Sequence, residues 1–273
     1  MIPRANVTAW RRVAPWPSDA QVEQDLVLSR VLVELFSRPS LAERVAFRGG
    51  TALHKLYFAP PARYSEDIDL VQRERGPIGP VADEIRDTLA PWLGTPSTRA
   101  GRDVFTLVFR FTTSSTPAVT MRVKIEINTR EHRAVEGFVT LPFEVESPWF
   151  AGSADVVTFG LCELLGTKLR ALFQRKKGRD LFDLALGVDH PEFDAERVVY
   201  VFGRYTAGVA LITRARFEEN MAGKLRDPNF AADVRALLGT GVGHEPARAW
   251  ERVSAHLVSR LPERPGGSVS GGA

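Results

Sequence analysis

Two short motifs lie close together in this 273-residue chain, and a fold must accommodate both. Gly49-Gly50-Thr51 follows the apolar run at 45–47, and the residues after it have helical spacing. Asp67-Ile68-Asp69-Leu70-Val71 alternates polar and apolar residues. The first pattern predicts a strand that turns into a helix, and the second predicts a strand with one exposed face. Both motifs therefore belong to one short stretch of a domain that contains strands and helices.

The Gly49-Gly50-Thr51 turn is suited to binding phosphate. Backbone N–H groups remain unpaired at the start of a helix, and glycine lets a phosphate approach the backbone closely. Thr51 can cap the helix or add its hydroxyl to the site, and Lys55, one turn later, can reach the same cleft. An ordinary strand-to-helix connection has the same pattern, so the turn alone is a weak indication of function.

The acidic strand adds a metal-binding pattern. Residues two apart on a strand point to the same face, so the carboxylates of Asp67 and Asp69 converge and repel each other. A divalent ion such as Mg²⁺ relieves that repulsion and also takes substrate phosphate oxygens. Ser65 can place a hydroxyl near the metal, and Glu126, on the polar face of a strand at 119–128, can complete the metal site or act as a base. A solvated strand face is the alternative for these carboxylates.

A lysine lies on the apolar face of a helix in the second half of the chain. At 100° per residue Lys168 falls in the middle of a leucine stripe, where a charge is costly to bury unless an anion meets it. We expect Lys168 either to contact a triphosphate in a cleft between two domains or to extend its ammonium to water. Asp180 and Asp183, three residues apart on the next helix, are expected to share its environment. The leucines of the stripe are Leu161, Leu164, Leu165 and Leu172.

The densest basic cluster of the chain follows this helix. Its positive charges can meet the phosphates of a nucleotide or of an RNA backbone. The alternative is a solvated turn in which the same side chains form ion pairs. The cluster comprises Arg175, Lys176, Lys177 and Arg179.

The distribution of patterns predicts an α+β fold. Residues 1–155 are expected to form a domain with a mixed sheet and flanking helices, and 156–262 a helical domain. The Gly/Ser-rich segment 263–273 is expected to be a disordered tail. Within the first domain we predict strands at 45–48, 67–71, 104–112 and 119–128, a helix capped by Ser18, a shorter one capped by Ser40, and helices at 52–58 and 80–93.

Composition excludes several classes of protein. A single cysteine excludes an intrachain disulfide framework or a cysteine-based zinc site and is typical of a reducing compartment. No stretch approaches 18 apolar residues, and the N-terminus lacks the pattern of a signal peptide. We therefore expect a soluble cytoplasmic protein without a membrane partner. The net charge of +3 permits a nucleic-acid partner but does not require one.

Four motifs in order resemble the AbiEii/MenT nucleotidyltransferases, the toxin halves of type IV-like, abortive-infection toxin–antitoxin pairs. They are Gly-Gly-Thr-Ala-Leu-x-Lys at 49–55, Arg-x-Ser-Glu-Asp-Ile-Asp-Leu at 63–70, Lys-Leu-x-Ala-Leu at 168–172 and Arg-Asp-x-x-Asp-Leu at 179–184. The set is far more specific than any single motif, and it covers about residues 20 to 186. No familiar motif follows residue 190.

The resemblance implies a DNA polymerase β-like nucleotidyltransferase domain followed by a helical domain. It also implies transfer of a nucleoside monophosphate from an NTP with Mg²⁺, or Mn²⁺ in its place. The implied acceptor is RNA, notably the 3′ end of tRNA, so that translation stops, and a cognate antitoxin encoded nearby is the implied protein partner.

The resemblance also implies roles for individual residues. Asp67 and Asp69 would bind the metal, and the Gly49-Gly50-Thr51 turn would hold phosphates. Lys55 and Lys168 would contact the triphosphate. Asp180 or Asp183 would be the acid of the last motif, and Glu126 would be the third carboxylate of the metal site. An enzyme of the same fold that modifies a protein or a small molecule is one alternative, and a non-catalytic RNA-binding homologue is another.

Overall fold

The computed structural model describes residues 2–208 and 211–263, and the chain divides into two units. Unit 1 consists of Met1–Gly160 and Leu237–Val242, and unit 2 of Leu161–Ala236 and Gly243–Ala273. The segment at 237–242 returns to unit 1, where the backbone of Leu237 accepts a hydrogen bond from Tyr64. Apart from Glu263, the tail predicted at 263–273 lies outside the described residues.

The described part of unit 1 is built around a seven-stranded mixed sheet. Its strands are β1 (Val45–Arg48), β2 (Asp67–Gln72), β3 (Ser97–Ala100), β4 (Val104–Thr112), β5 (Thr120–Asn128), β6 (Phe138–Glu146) and β7 (Ala151–Phe159). They lie in the order β3-β4-β5-β2-β1-β7-β6. Strand β2 runs antiparallel to β1 and parallel to β5, so its backbone is paired on both sides. The acidic motif therefore lies on a central strand.

Alternation of side chains fixes which face of the central strands is buried. Ile68 and Leu70 on β2 are buried, as are Ile125 and Ile127 on β5. On the opposite face Asp67, Asp69, Lys124 and Glu126 are partly buried, while Val71, further along that face of β2, is buried. The predicted α+β class, the two-faced strands and the side of the sheet that carries the carboxylates are thereby confirmed.

The helices of unit 1 differ from the predicted ones at their starts. Ser18 caps the long second helix through a capping box with Gln21, as expected. The prediction that Ser40 caps the next helix is wrong, because Arg38 holds the cap position and Pro39 is the first helical residue. The helices are α1 (Arg4–Trp10), α2 (Asp19–Phe36), α3 (Pro39–Arg44), α4 (Gly49–Ala52), which continues as a π-helical turn at Leu53–Tyr57, and α5 (Gly79–Leu93).

The described residues of unit 2 form helices, in agreement with the sequence pattern. They are α6 (Leu161–Gln174), α7 (Gly178–Gly187), α8 (Ala195–Thr206), α9 (Arg214–Leu225), α10 (Pro228–Ala232) and α11 (Pro246–His256). Short 3₁₀ turns occur at Arg235–Leu237 and Val258–Arg260. Across the part of the chain that the structure describes, no helix is long and apolar enough to cross a membrane.

Candidate functional site

Strand pairing brings the Gly-Gly turn against the acidic strand in unit 1. Arg48, the last residue of β1, pairs with Asp69 on β2, and the chain enters α4 at Gly49. Gly49 has φ +84, and a Cβ built there would lie 2.2 Å from Asp69 Oδ2. No side chain could occupy that space unless the carboxylate moved. The two motifs of the opening stretch are therefore in direct contact.

The hydroxyls of the turn are engaged within the unit. Thr51 donates a hydrogen bond to the backbone carbonyl of Asp67, and its oxygen lies 2.8 Å from Ser65 Oγ. The helix begins at Gly49, so Thr51 lies inside it and the interpretation of Thr51 as its cap is wrong. Arg48 holds the cap position without a side-chain cap. Thr51 and Ser65 thus fix the start of β2 next to the first turn of α4.

Asp67 and Asp69 lie on the same face of β2, as their spacing predicted. The two carboxylate oxygens of Asp67 lie in different environments. Its Oδ2 atom is 2.9 Å from Lys124 Nζ, whereas its Oδ1 atom is buried and has no hydrogen-bond partner among the described residues. A buried carboxylate oxygen that no donor contacts fits a bound cation.

Lys124 is a site residue that was not predicted from the sequence. Residues Asp67 and Lys124 are paired in the parallel register of β2 and β5, and Asp69 is paired with Glu126 one step along. The Lys124 ammonium lies 2.9 Å from Asp67 Oδ2 and 3.1 Å from Glu126 Oε2. Burial lowers the pKa of Lys124, but hydrogen bonds and charge from Asp67 and Glu126 outweigh it and raise the pKa above its ordinary value. The only signal in the sequence was that Lys124 and Glu126 share a strand face.

Glu126 therefore contacts a lysine on its own strand. Among residues 2–208 and 211–263, no three His, Cys, Asp or Glu side chains are grouped so that they could hold a metal ion. The structure brings Asp67 and Asp69 together on one strand and pairs Glu126 with Lys124. A metal-binding role for Glu126 stays a prediction.

Lys55 is tied to the long helix α2. Its ammonium lies 2.7 Å from Asp25 Oδ1 and donates to Ser29 Oγ at 2.9 Å, and the same Asp25 oxygen accepts the Trp10 indole N–H. Asp25 is 2% exposed. Asp25 was not predicted as a partner of Lys55, although a carboxylate between apolar positions of a helix was a visible signal. A triphosphate contact of Lys55 stays a prediction.

Unit 2 contains a buried ionic cluster around Lys168. The Lys168 ammonium lies 3.1 Å from Asp180 Oδ1 and 2.9 Å from Asp183 Oδ2, and Arg175 contacts both oxygens of Asp180 at 2.6 and 2.8 Å. This confirms that Asp180 and Asp183 share the environment of Lys168. Burial raises the pKa of Asp180, but the Lys168 ammonium and then Arg175 lower it below its ordinary value on balance. Carboxylates of the same unit compensate the lysine charge, and its contact with a triphosphate stays a prediction.

The basic cluster beyond α6 forms ion pairs. Lys176 contacts Asp227, while Lys177 and Arg179 lie 3.4 and 3.9 Å from Asp233. The alternative interpretation of the cluster as an ion-paired turn is therefore what the structure shows. Exposed pairs of this kind are weak, so they do not prevent the same side chains from meeting phosphates.

Comparison with known proteins agrees with the geometry. The family described as nucleotidyl transferase AbiEii toxin, type IV TA system, matches residues 30–256. MenT4, the nucleotidyltransferase toxin Rv2826c from Mycobacterium tuberculosis H37Rv, superposes with a TM-score of 0.68 at 18% identity, covering 96% of this chain and 91% of that chain. JHP933 from Helicobacter pylori superposes with a TM-score of 0.56 at 16% identity, covering 88% and 90%.

At such low identity these superpositions show a shared fold alone, and no match was found among curated protein sequences. The family match covers both units, from within α2 to the end of α11. It thus includes the Gly-Gly turn, the acidic strand and the Lys168 cluster. The chain belongs to the AbiEii family of nucleotidyltransferase toxins of type IV toxin–antitoxin systems.

Proposed function

We propose that this toxin uses Mg²⁺, with Mn²⁺ as a substitute, to transfer a nucleoside monophosphate from an NTP to the 3′ end of tRNA. Translation would stop in the cytoplasm of the producing cell, as in abortive infection. The family establishes a nucleotidyltransferase toxin with a nucleotide substrate and an antitoxin partner. The metal, the RNA acceptor and the effect on translation are the proposed steps, and the resemblance of the four motifs supports them.

One observation carries the metal-dependent part of the proposal. Asp67 Oδ1 is buried without a hydrogen-bond partner among the described residues, on the face of β2 that also carries Asp69. Mg²⁺ is usually held by one or two carboxylates together with waters and substrate phosphates, so a pair of aspartates is a sufficient protein contribution. Asp67 and Asp69 fit that role. Glu126 is not required, because the phosphates and waters supply the other oxygens.

The proposed reaction is an in-line displacement at the α-phosphorus of the NTP. The hydroxyl oxygen of the acceptor forms a bond to that phosphorus and its proton passes to water, while the bond from the α-phosphorus to the oxygen that bridges it to the β-phosphate breaks and pyrophosphate leaves. When bound, the divalent ion would offset phosphate charge and ease loss of the hydroxyl proton. Gly49 and Gly50 would let the departing phosphates approach the backbone N–H groups at the start of α4. Lys55 and Lys168 would have to exchange carboxylate partners to contact the triphosphate.

Labelling with each NTP separately tests this proposal. The purified toxin is incubated with one radiolabelled NTP and, in parallel, with tRNA, total RNA lacking tRNA, and total protein. We expect label from a preferred NTP at the tRNA 3′ end, with a requirement for Mg²⁺ or Mn²⁺. Label in protein or in the RNA that lacks tRNA would instead replace tRNA as the acceptor and leave the nucleotidyltransferase assignment in place.

A pair of matched variants ties the activity to β2. Asp67→Asn keeps the size of the side chain and removes its charge, and it should lower transfer at least about 100-fold. Asp87→Asn makes the same change at an exposed position on α5 and should leave transfer unchanged. A folded Asp67→Asn protein with full transfer and full toxicity would refute the proposed role of the acidic strand.

A further inference from the structure

Lys124 contacts the carboxylate that is proposed to bind the metal, so its contacts would differ between the metal-bound and the metal-free protein. Its ammonium bridges Asp67 Oδ2 on β2 and Glu126 Oε2 on its own strand β5. The side chain is 23% exposed, so solvent reaches it although most of its surface is packed. Asp67 thus has one oxygen held by a cation and another that is buried without a hydrogen-bond partner among the described residues.

The neighbouring strands determine what else faces this position. Glu126 pairs across the sheet with Thr106 of β4, and Lys124 pairs with Val108, so β4 brings neutral side chains to these two register positions. On β1, Arg48 pairs with Asp69 in register, and its guanidinium lies 2.9 Å from Glu131. Lys124 is therefore a cation placed to offset the repulsion between Asp67 and Glu126 before any metal is present.

We propose that Lys124 is a built-in counter-ion, which holds the carboxylate face together without metal and releases Asp67 when a divalent ion binds. In this arrangement Glu126 retains the displaced ammonium and does not ligate the metal. The inference rests on the proposed metal-binding role of Asp67 and Asp69. It assigns two residues that the family motifs do not cover.

Electrostatics gives the direction of the expected effects. A divalent ion and an ammonium repel when both approach one carboxylate, so Lys124 weakens metal binding as long as it contacts Asp67. Its removal should tighten metal binding, at the cost of uncompensated repulsion between Asp67 and Glu126 in the metal-free protein. The two effects have opposite signs with and without metal, and an ordinary structural lysine would not produce that pattern.

The test uses Mn²⁺ alone as the probe, with the full-length protein and no nucleotide. Thermal unfolding is followed in a chelator and over a Mn²⁺ titration for the wild type, Lys124→Met and Lys124→Arg. We expect Lys124→Met to melt at a lower temperature than the wild type in chelator. It should bind Mn²⁺ at least about tenfold more tightly, because the repulsion between the ammonium and the metal ion is gone. Lys124→Arg keeps the charge and should resemble the wild type.

Arg86→Met is the matched control. Arg86 also lies between two carboxylates, 2.9 Å from Asp83 and 3.5 Å from Asp87, but on the exposed surface of α5. Arg86→Met removes the same charge away from the site, so the response of this variant to Mn²⁺ should equal that of the wild type. Equal Mn²⁺ affinities of Lys124→Met and the wild type would overturn the inference, because the lysine would then not compete for Asp67.

Two further variants separate failure of the inference from failure of the proposed function. The double variant Lys124→Met/Glu126→Gln preserves net charge and should bind Mn²⁺ no more weakly than the wild type; weaker binding would identify Glu126 as a metal ligand and overturn the inference. Asp67→Asn should abolish the Mn²⁺ response of Lys124→Met. A response that survives Asp67→Asn would place the ion elsewhere and would refute the proposed metal site together with the inference.

Discussion

Replacing Gly49 by alanine is the sharpest test of the contact between the turn and the acidic strand. A methyl group at this position would lie 2.2 Å from Asp69 Oδ2 and 3.0 Å from its Cγ, so the carboxylate must move. Gly49 also has φ +84, a conformation that costs an alanine roughly 1–2 kcal/mol. Displacing a packed side chain adds about 1–3 kcal/mol. Gly49→Ala should therefore destabilise unit 1 by about 2–5 kcal/mol in total.

Gly94→Ala separates the two contributions. Gly94 has φ +77 and ψ -179, and a Cβ there would meet nothing within 4 Å, so its substitution carries a positive-φ backbone cost without a collision. The measurement is urea unfolding followed by tryptophan fluorescence, which reports largely on unit 1 because Trp10, Trp16, Trp92 and Trp149 lie there and Trp250 lies in unit 2. We expect Gly49→Ala to cost about 1–3 kcal/mol more than Gly94→Ala.

The same glycine substitutions in an Asp69→Ala background complete a double-mutant cycle between residues 49 and 69. Removing the carboxylate removes the contacts at 2.2 and 3.0 Å and leaves the contact with the Cβ of residue 69 at 3.1 Å, so the excess cost of Gly49→Ala over Gly94→Ala should shrink in that background. Metal-dependent transfer should stay absent, because the proposed ligand is gone. Equal losses from Gly49→Ala and Gly94→Ala in the wild-type background would show that Asp69 does not lie against the turn, and the reasoning from the site geometry would fail.

Two predictions concern unit 2. Lys168→Met leaves the buried carboxylates of Asp180 and Asp183 without their shared ammonium and should cost about 3–5 kcal/mol by urea unfolding, whereas an unchanged midpoint would contradict the buried cluster. Burial lowers the pKa of Lys224 from 10.5 to about 8, so the unfolded chain binds more protons than the native protein between those pH values. The unfolding free energy of the wild type relative to Lys224→Met should therefore rise from pH 8 to 10.5, and a flat or falling difference would contradict the assignment.

The elements that were predicted from the sequence are those with a strong burial pattern. Strands β1 and β4 have the predicted bounds, and β2 extends one residue further than expected. Strands β3, β6 and β7 were not predicted. Every residue of β3 is exposed, and β6 at the other edge contains Pro142, which an edge strand tolerates. An edge strand buries too little apolar surface to leave a clear period in the sequence. Strand β7 lies inside the sheet, but its first five residues are not buried, so its alternation is weak as well.

The sequence was enough to predict which strand face carries each site residue, but not which residues form ion pairs with each other. The spacing of Asp67 and Asp69 and the alternation around Glu126 are local, so the sequence was sufficient to place them. The parallel register that sets Lys124 beside Asp67 depends on which strands become neighbours, and that is decided by the packing of the whole sheet. The same holds for Lys55, whose partner Asp25 lies on a helix thirty residues earlier.

Three lysines of the chain differ in how much it costs them to leave their carboxylate partners. Lys55, Lys124 and Lys168 all contact carboxylates, so any of them must exchange an ion pair in order to meet a phosphate. Breaking a buried pair leaves an uncompensated charge in a medium of low dielectric constant, and the cost falls as exposure to water rises. The exposed fractions are 10% for Lys55, 8% for Lys168 and 23% for Lys124. Lys124 is therefore the lysine that can leave a carboxylate at least cost, as the proposed release of Asp67 requires, whereas a contact of Lys55 or Lys168 with the triphosphate would cost more.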